Sequence, residues 1–217
     1  TPNGLDMFLS GPVTEIPVDP VPERSASRSG AYSQTMKIPA DAVETLSGTV
    51  KKAPGQLKVD FLHAWDLTLR PVLSFSPEDS TITVAGSGMK SWNRMDNCSQ
   101  FYLEDDISFL DEGGEFFYDE GSSRLYYMPR EGENVEESYA VIPSARNLIV
   151  ISGDRDSHVT DISFCGISFE YTRYTTPWTG EDPQQAASSK DAAVMLDYAD
   201  RISFNDCEIA HTGNNGI

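Results

Sequence analysis

Apolar and polar positions alternate along the middle of the chain. Leu57, Val59, Phe61, His63 and Trp65 share one face of an extended segment, and Leu67 and Leu69 carry the pattern on after Asp66. Successive side chains of a strand point to opposite sides of its sheet, so a period of two predicts half-buried strands. Ser76-Pro77-Glu78-Asp79-Ser80 has turn composition and leads into Thr81-Ile82-Thr83-Val84. Further on, residues 115–119 and 124–129 flank Glu120-Gly121-Ser122-Ser123, which predicts an aromatic-rich hairpin. Strands that are apolar on one face need a second layer to bury it. Residues 37–138 are therefore expected to form a small β-sandwich, with His63 and Trp65 in its core. The one stretch with helical promise is 40–46, behind Pro39. A charged run, Glu131, Glu133, Glu136 and Glu137 around Gly132, closes the domain.

Beyond that run the pattern becomes a repeat. Ile162-Ser163-Phe164, with Phe169 and Thr172, recurs as Ile202-Ser203-Phe204, with Ile209 and Thr212, at a constant offset of 40. Each copy is entered by an apolar strand (148–151, then 193–196) and a polar turn (154–157, then 197–200). Self-similarity at a fixed period marks a solenoid, whose coils bury their apolar sides by stacking. Stacking places Ile162 over Ile202 and Phe164 over Phe204. Cys165 then takes the slot of Asn205 and Cys207 that of Ile167, so both cysteines read as packing residues. A plain β-solenoid coil takes roughly 22–25 residues. The excess is assigned to a loop at 173–190 holding Pro177, Trp178, Gly180 and Pro183; loops of that length are usually functional or disordered. Residues 139–217 thus read as the first coils of a solenoid. About three repeats are needed for stability, so the chain is expected to be the N-terminal piece of a longer one. Residues 1–36, with Pro12, Pro17, Pro20, Pro22 and a Ser/Arg run, read as an extended or partly disordered segment.

Charge narrows the partners. Thirty-four acidic residues against 16 basic give a formal net charge of −18. Nucleic acid and anionic membrane surfaces would need a basic patch that so few cations do not supply, so neither is an expected partner, and a neutral or basic ligand is favoured. No stretch is apolar enough for membrane insertion. Three cysteines, Cys98, Cys165 and Cys207, provide no disulfide framework.

The string Leu110-Asp111-Glu112-Gly113-Gly114-Glu115-Phe116-Phe117-Tyr118-Asp119, followed by Leu125-Tyr126-Tyr127 and Pro129, resembles a signature of secreted bacterial β-helix glycoside hydrolases, the β-xylosidase-like and α-L-fucosidase-like enzymes. The closing His211-Thr212-Gly213 with Gly216-Ile217 is similar to a turn of the same enzymes. Gly113 stands where the family usually has Pro, and Phe116 where it has Trp. The resemblance implies an all-β fold: a β-sandwich followed by the first coils of a right-handed parallel β-helix. It also implies a secreted, periplasmic or cell-surface protein acting on carbohydrate, with the remainder of the same β-helix as its partner. Glycoside hydrolysis needs two carboxyl groups, about 5 Å apart for retention or roughly 6.5–9.5 Å for inversion. In the resembling enzymes these lie on later coils, so the catalytic residues are unknown from this chain, and the segment alone is expected to be inactive.

Candidate substrate-binding residues are Trp178, His211, Asn214 and Asn215. An indole on the long loop, beside Thr176, Glu181 and Asp182, offers a flat face for a sugar ring, or else anchors the loop. His211, Asn214 and Asn215 follow a strand end and either line a groove or form a turn. Glu170 and Glu208 face outward and read either as groove carboxylates or, more simply, as a solvated surface. Asp154, Asp156 and the run Glu104-Asp105-Asp106 lack the ligand spacing of a calcium loop, so neither metal nor cofactor is expected. The leading reading is a glycoside hydrolase acting on a neutral glycan through two carboxylates outside this segment. The alternative is a non-catalytic carbohydrate-binding or adhesin-type β-helix. A polysaccharide lyase would want basic residues against a uronate, which this acidic chain argues against.

Overall fold

A computed structural model of the chain describes residues 7–8, 14–18, 31–49, 56–63, 66–86, 100–181 and 190–217. It divides into two compact units, residues 1–136 with 176–182, and residues 137–175 with 183–217.

The first unit is built on strands β1 (Met7–Phe8), β2 (Thr14–Val18), β3 (Ala31–Lys37), β4 (Lys58–Leu62), β5 (Leu67–Ser76), β6 (Thr81–Ala85) and β7 (Gln100–Glu104), in the antiparallel order β1-β7-β4-β5-β6-β3-β2. The ten-residue β5 joins its two halves. Its first half, from Leu67 to Pro71, pairs with β4, and its second, from Val72 to Ser76, pairs with β6 across a register shift between Val72 and Ser74. A bulge of this kind lets one strand pass between two layers. Leu57, Val59, Phe61, Phe101 and Leu103 from one half, and Met36, Ile82 and Val84 from the other, close on a single core. That shared core is consistent with the two-layer arrangement expected of a sandwich.

Four features depart from the sequence reading. The helical stretch is a full helix, α1 (Ala40–Thr49), so the unit is mostly rather than wholly β. Its Ala42 and Leu46, one turn apart, are both fully buried in the core. Register puts Leu69 opposite Asp60, and Arg70 opposite Val59. Thr68 and Arg70, not Leu67 and Leu69, therefore share the face of Val59 and Phe61. His63 is only half-buried, its Nε2 lying 3.0 Å from Thr68 Oγ1, and Trp65 lies outside the described residues. β3, read as part of the extended N-terminal segment, pairs with β6 inside the sheet.

The aromatic hairpin forms as a separate two-stranded sheet, β8 (Phe116–Asp119) with β9 (Arg124–Tyr127). The Asp119 carboxylate accepts from the N–H of Gly121 and from both the N–H and hydroxyl of Ser122, which fixes the turn. At the hairpin's entrance Glu115 Oε2 accepts from the backbone N–H groups of Asp111 and Glu112 at 2.9 and 3.0 Å. Gly114 has φ +101°, where a Cβ would lie 2.6 Å from the Arg130 guanidinium. The Gly-Glu of the signature string is thus explained by backbone geometry.

The second unit holds β10 (Ile149–Ser152), β11 (Val159–Thr160), β12 (Ser163–Cys165) and β13 (Ser168–Glu170) in one rung, and β14 (Val194–Asp197), β15 (Ala199–Asp200), β16 (Ser203–Asn205) and β17 (Glu208–Ala210) in the next. Each strand of the first rung pairs in parallel with its counterpart in the second. Asn147 reaches Ala192 across an offset of 45, whereas Ser163 meets Ser203 across 40. The difference is absorbed by residues 154–158, a tight turn in which the Asp154 carboxylate accepts from the N–H groups of Asp156 and Ser157. The second rung has no such turn: residues expected to form one instead finish β14, pass through Tyr198 and make β15. From Ala192 the chain comes back into parallel register at Asn215, 23 positions on, close to the expected plain coil.

Candidate functional site

The rungs turn at residues in the left-handed region, and those corners stack. Asp161 lies against Arg201, Gly166 against Asp206 and Tyr171 against His211, all with positive φ. Corners recur every five residues within a rung, so the strands between them are three residues long. Inside, Phe164 stacks on Phe204 with centroids 4.9 Å apart, and Phe169 meets both rings edge-on. Outside, the Arg201 guanidinium grips the Asp161 carboxylate with two hydrogen bonds and holds its pKa down to about 2. Cys165, expected in the packing, is exposed opposite Asn205, because alternation turns it outward once Phe164 points in. Cys207 is half-buried.

Of the four sequence candidates, three lie in this unit. His211 is exposed, its ring parallel to that of Tyr171 at 4.8 Å and 6°. Asn214 and Asn215 contribute backbone: the Asn214 carbonyl accepts from Thr212 Oγ1, and the Asn215 carbonyl from the N–H of Ala193. Tyr139 is the most exposed of the large hydrophobic residues described, at 85%. Burial first, then the influence of Tyr139 and Glu170, raises the pKa of the Tyr171 phenol. Neither tyrosine was singled out in the sequence. The available signal was the echo of Ile162-Ser163-Phe164 in Ile167-Ser168-Phe169, five positions on, which puts Tyr171 and His211 at one corner.

Trp178 belongs to the first unit. Its segment is held against β5 by a reciprocal pair of backbone hydrogen bonds between Leu69 and Glu181, at 3.0 and 2.7 Å, and by Arg70 Nη1 donating to the Thr179 carbonyl at 2.6 Å. Gly180 and Gly86 permit the approach: a Cβ on Gly180 would meet the Leu69 carbonyl at 2.3 Å, and one on Gly86 would meet Arg70 Nη1 at 1.9 Å. The 173–190 loop is thus partly a structured strap, and Trp178 is half-buried on it.

Two polar clusters were missed. On the sheet face opposite the core, Asp60, 2% exposed, stands across from Tyr102 and in contact with Glu104. Burial, then the charge of Glu104, pushes the Asp60 carboxyl up to about 8, and burial also raises Glu104. Burial and the same carboxyls push Tyr102 up to about 12. Lys58 and Asp105 form an ion pair at 2.5 Å beside them. Asp60 Oδ2 is buried without a hydrogen-bond partner, and burial beside a like charge favours the neutral acid. In the rung unit, His158 Nδ1 lies 2.9 Å from Asp200 Oδ2 and its ring packs on Tyr198. Among the described residues no group of three or more His, Cys, Asp or Glu is arranged to hold a metal ion. No helix described is long and apolar enough to cross a membrane.

Comparison with known proteins adds two findings. Residues 71–130, from β5 through the hairpin, match the family model of the GH141 insertion domain. A solved structure titled "Glycoside hydrolase" is similar in fold, with a TM-score of 0.67 and 22% identity over 84% of this chain. The chain spans 38% of that structure's length. No curated protein matches. These findings relate the chain to glycoside hydrolases.

Proposed function

We propose that the chain is the β-sandwich and the first coils of a right-handed parallel β-helix in a longer, exported glycoside hydrolase acting on a neutral glycan. The observation that carries this reading is the fold likeness to a glycoside hydrolase over 84% of the chain. In-register parallel rungs and the match to a glycoside hydrolase insertion domain support it. The hydrolytic carboxyl pair is assigned to other rungs because the resemblance to β-helix glycoside hydrolases implies it there. The net charge of −18 favours a neutral substrate over a uronate. Trp178, His211, Asn214 and Asn215 remain the proposed substrate-binding residues.

The test is turnover by the full-length protein on aryl glycosides and neutral oligosaccharides, beside residues 1–217 alone. Sugar release is expected from the first and none from the second. Hydrolysis by the segment would overturn the placement of the carboxyl pair. Binding without hydrolysis by the full-length protein would favour a non-catalytic carbohydrate-binding β-helix, a reading that the exposed Tyr139 also suits.

A further inference from the structure

Left-handed backbone is reached cheaply by Gly and with modest cost by Asn or Asp, but bulky side chains resist it. The rung corners at Asp161, Gly166 and Asp206 follow that preference, and Arg201 departs from it to grip Asp161. Tyr198, at φ 47°, departs from it at the step between β14 and β15, and it is left 44% exposed. Register places His158 at the matching position of the first rung, since Val159 pairs with Ala199. The two rings meet, with centroids 5.6 Å apart and planes at 58°. His158 Nδ1 also lies 2.9 Å from Asp200 Oδ2, the two side chains being 39% and 54% exposed. His158 closes the turn at 154–158, which the second rung lacks. Gly153 lets that turn lie on the Tyr198 backbone, because a Cβ there would come within 2.6 Å of the Ser157 and Tyr198 carbonyl oxygens. An exposed pair of this kind adds little to stability, and an aromatic residue at a left-handed corner subtracts from it. The cluster therefore has no folding role in proportion to what its geometry costs.

Its chemistry limits what it suits. A pyranose presents a flat patch of C–H groups that packs on an aromatic face, and a rim of hydroxyls that needs donors and acceptors. The half-exposed Tyr198 ring supplies the face. With His158 Nδ1 turned to Asp200, Nε2 is left to meet one hydroxyl, and the remaining lone pairs of the carboxylate accept from another. A sugar acid would instead meet the Asp200 carboxylate on a chain of net charge −18. We propose that Tyr198, His158 and Asp200 form a subsite for one neutral pyranose ring, with Tyr198 as the stacking face and the His158–Asp200 pair as the polar edge. The subsite rests on the carbohydrate reading above and adds to it the residues that take the sugar.

The experiment is calorimetric titration of the full-length protein with gluco-, xylo- and manno-oligosaccharides, with polygalacturonate as the charged control, alongside KM and kcat on any substrate that turns over. Tyr198→Asn removes the ring but suits the left-handed corner, so the melting temperature should hold or rise. The same change is expected to weaken affinity for at least one neutral oligosaccharide about 5- to 10-fold, in the range of an aromatic contact. Tyr198→Phe keeps the face and should bind that sugar within about 2-fold of the wild type. Asp200→Ala should weaken it as well, by removing the polar edge. Unchanged affinity in Tyr198→Asn, a loss in Tyr198→Phe equal to that in Tyr198→Asn, or absence of neutral-sugar binding by the wild type overturns the subsite. Turnover with unaltered KM in Tyr198→Asn removes the subsite and leaves the hydrolase. Tyr198-dependent binding with no turnover on any substrate keeps the subsite and removes the hydrolase.

Discussion

Phe61 and Phe164 are both strand phenylalanines lying against another phenylalanine, at 6.0 Å from Phe101 and 4.9 Å from Phe204, yet the first is fully sealed and the second only half-buried. In the sheet unit Phe61 shares one core with side chains from β3, β6, β7 and α1, elements distant in sequence. In the rung unit Phe164 has Phe204 on one face and Phe169 at its edge, both supplied by the repeat itself. A closed core gains its burial from three-dimensional enclosure. A column gains burial one neighbour at a time, so its stability is nearly a sum of nearest-neighbour contacts.

Four substitutions sharpen or break that contrast. Phe61→Ala should have the largest effect, a loss of about 3–5 kcal/mol in urea denaturation, because the enclosing elements cannot all collapse into the space. A loss of under about 1 kcal/mol would show that the core is not shared between the two half-sheets.

The next effect is in pH dependence. The Asp60 carboxyl is held up at about 8 against 3.8 for the free group. Below the free value it is neutral whether the chain is folded or not. Between the two values only the unfolded chain ionises, so folding stability should fall as pH rises from about 4 to about 8 and then level off. Asp60→Asn should flatten that slope and raise stability at neutral pH, read from melting curves across the range. An unchanged slope would show that Asp60 does not titrate above its free value in the folded chain.

Phe204→Ala should cost less than the Phe61 change, about 2 kcal/mol, since the ring is half-exposed and its loss uncovers one neighbour. An equal cost would mean that the column is sealed like a core. Smallest is Asp161→Asn, at an exposed pair. Its contribution is present above the ordinary aspartate pKa of 3.8 and is lost as pH falls through about 2. Wild type and variant should melt alike in high salt, and a difference that survived high salt would show that the pair is shielded from solvent.

Local periodicity made the rung unit legible. Ile162-Ser163-Phe164 and Ile202-Ser203-Phe204 pair as the offset requires, and the aromatic column follows from register alone. The hairpin at 116–127 was legible for a similar reason, since turn residues and strand residues are neighbours in sequence. The course of β5 was not. Whether Leu69 or Arg70 faces the core depends on which residue of β4 it meets, and no property of the strand itself encodes that partner. The Asp60–Glu104 contact was hidden for the same reason, because antiparallel pairing brings together polar positions 44 residues apart, each unremarkable in its own strand. At the candidate site, His211 was found from its turn, whereas Tyr171 needed the corner geometry that stacks it on His211.

The change of offset along the rungs makes the stack tolerant of grafting. Residues 149–152 are keyed to 194–197 and residues 159–170 to 199–210, while the turn at 154–158 adds its length to the first rung alone. A foreign peptide spliced into that turn would leave the paired strands in register. Doubling the turn's length would add only about 0.6 kcal/mol of closure cost. The same freedom lets a lineage lengthen or shorten this loop to suit a new ligand without redesigning the scaffold beneath it.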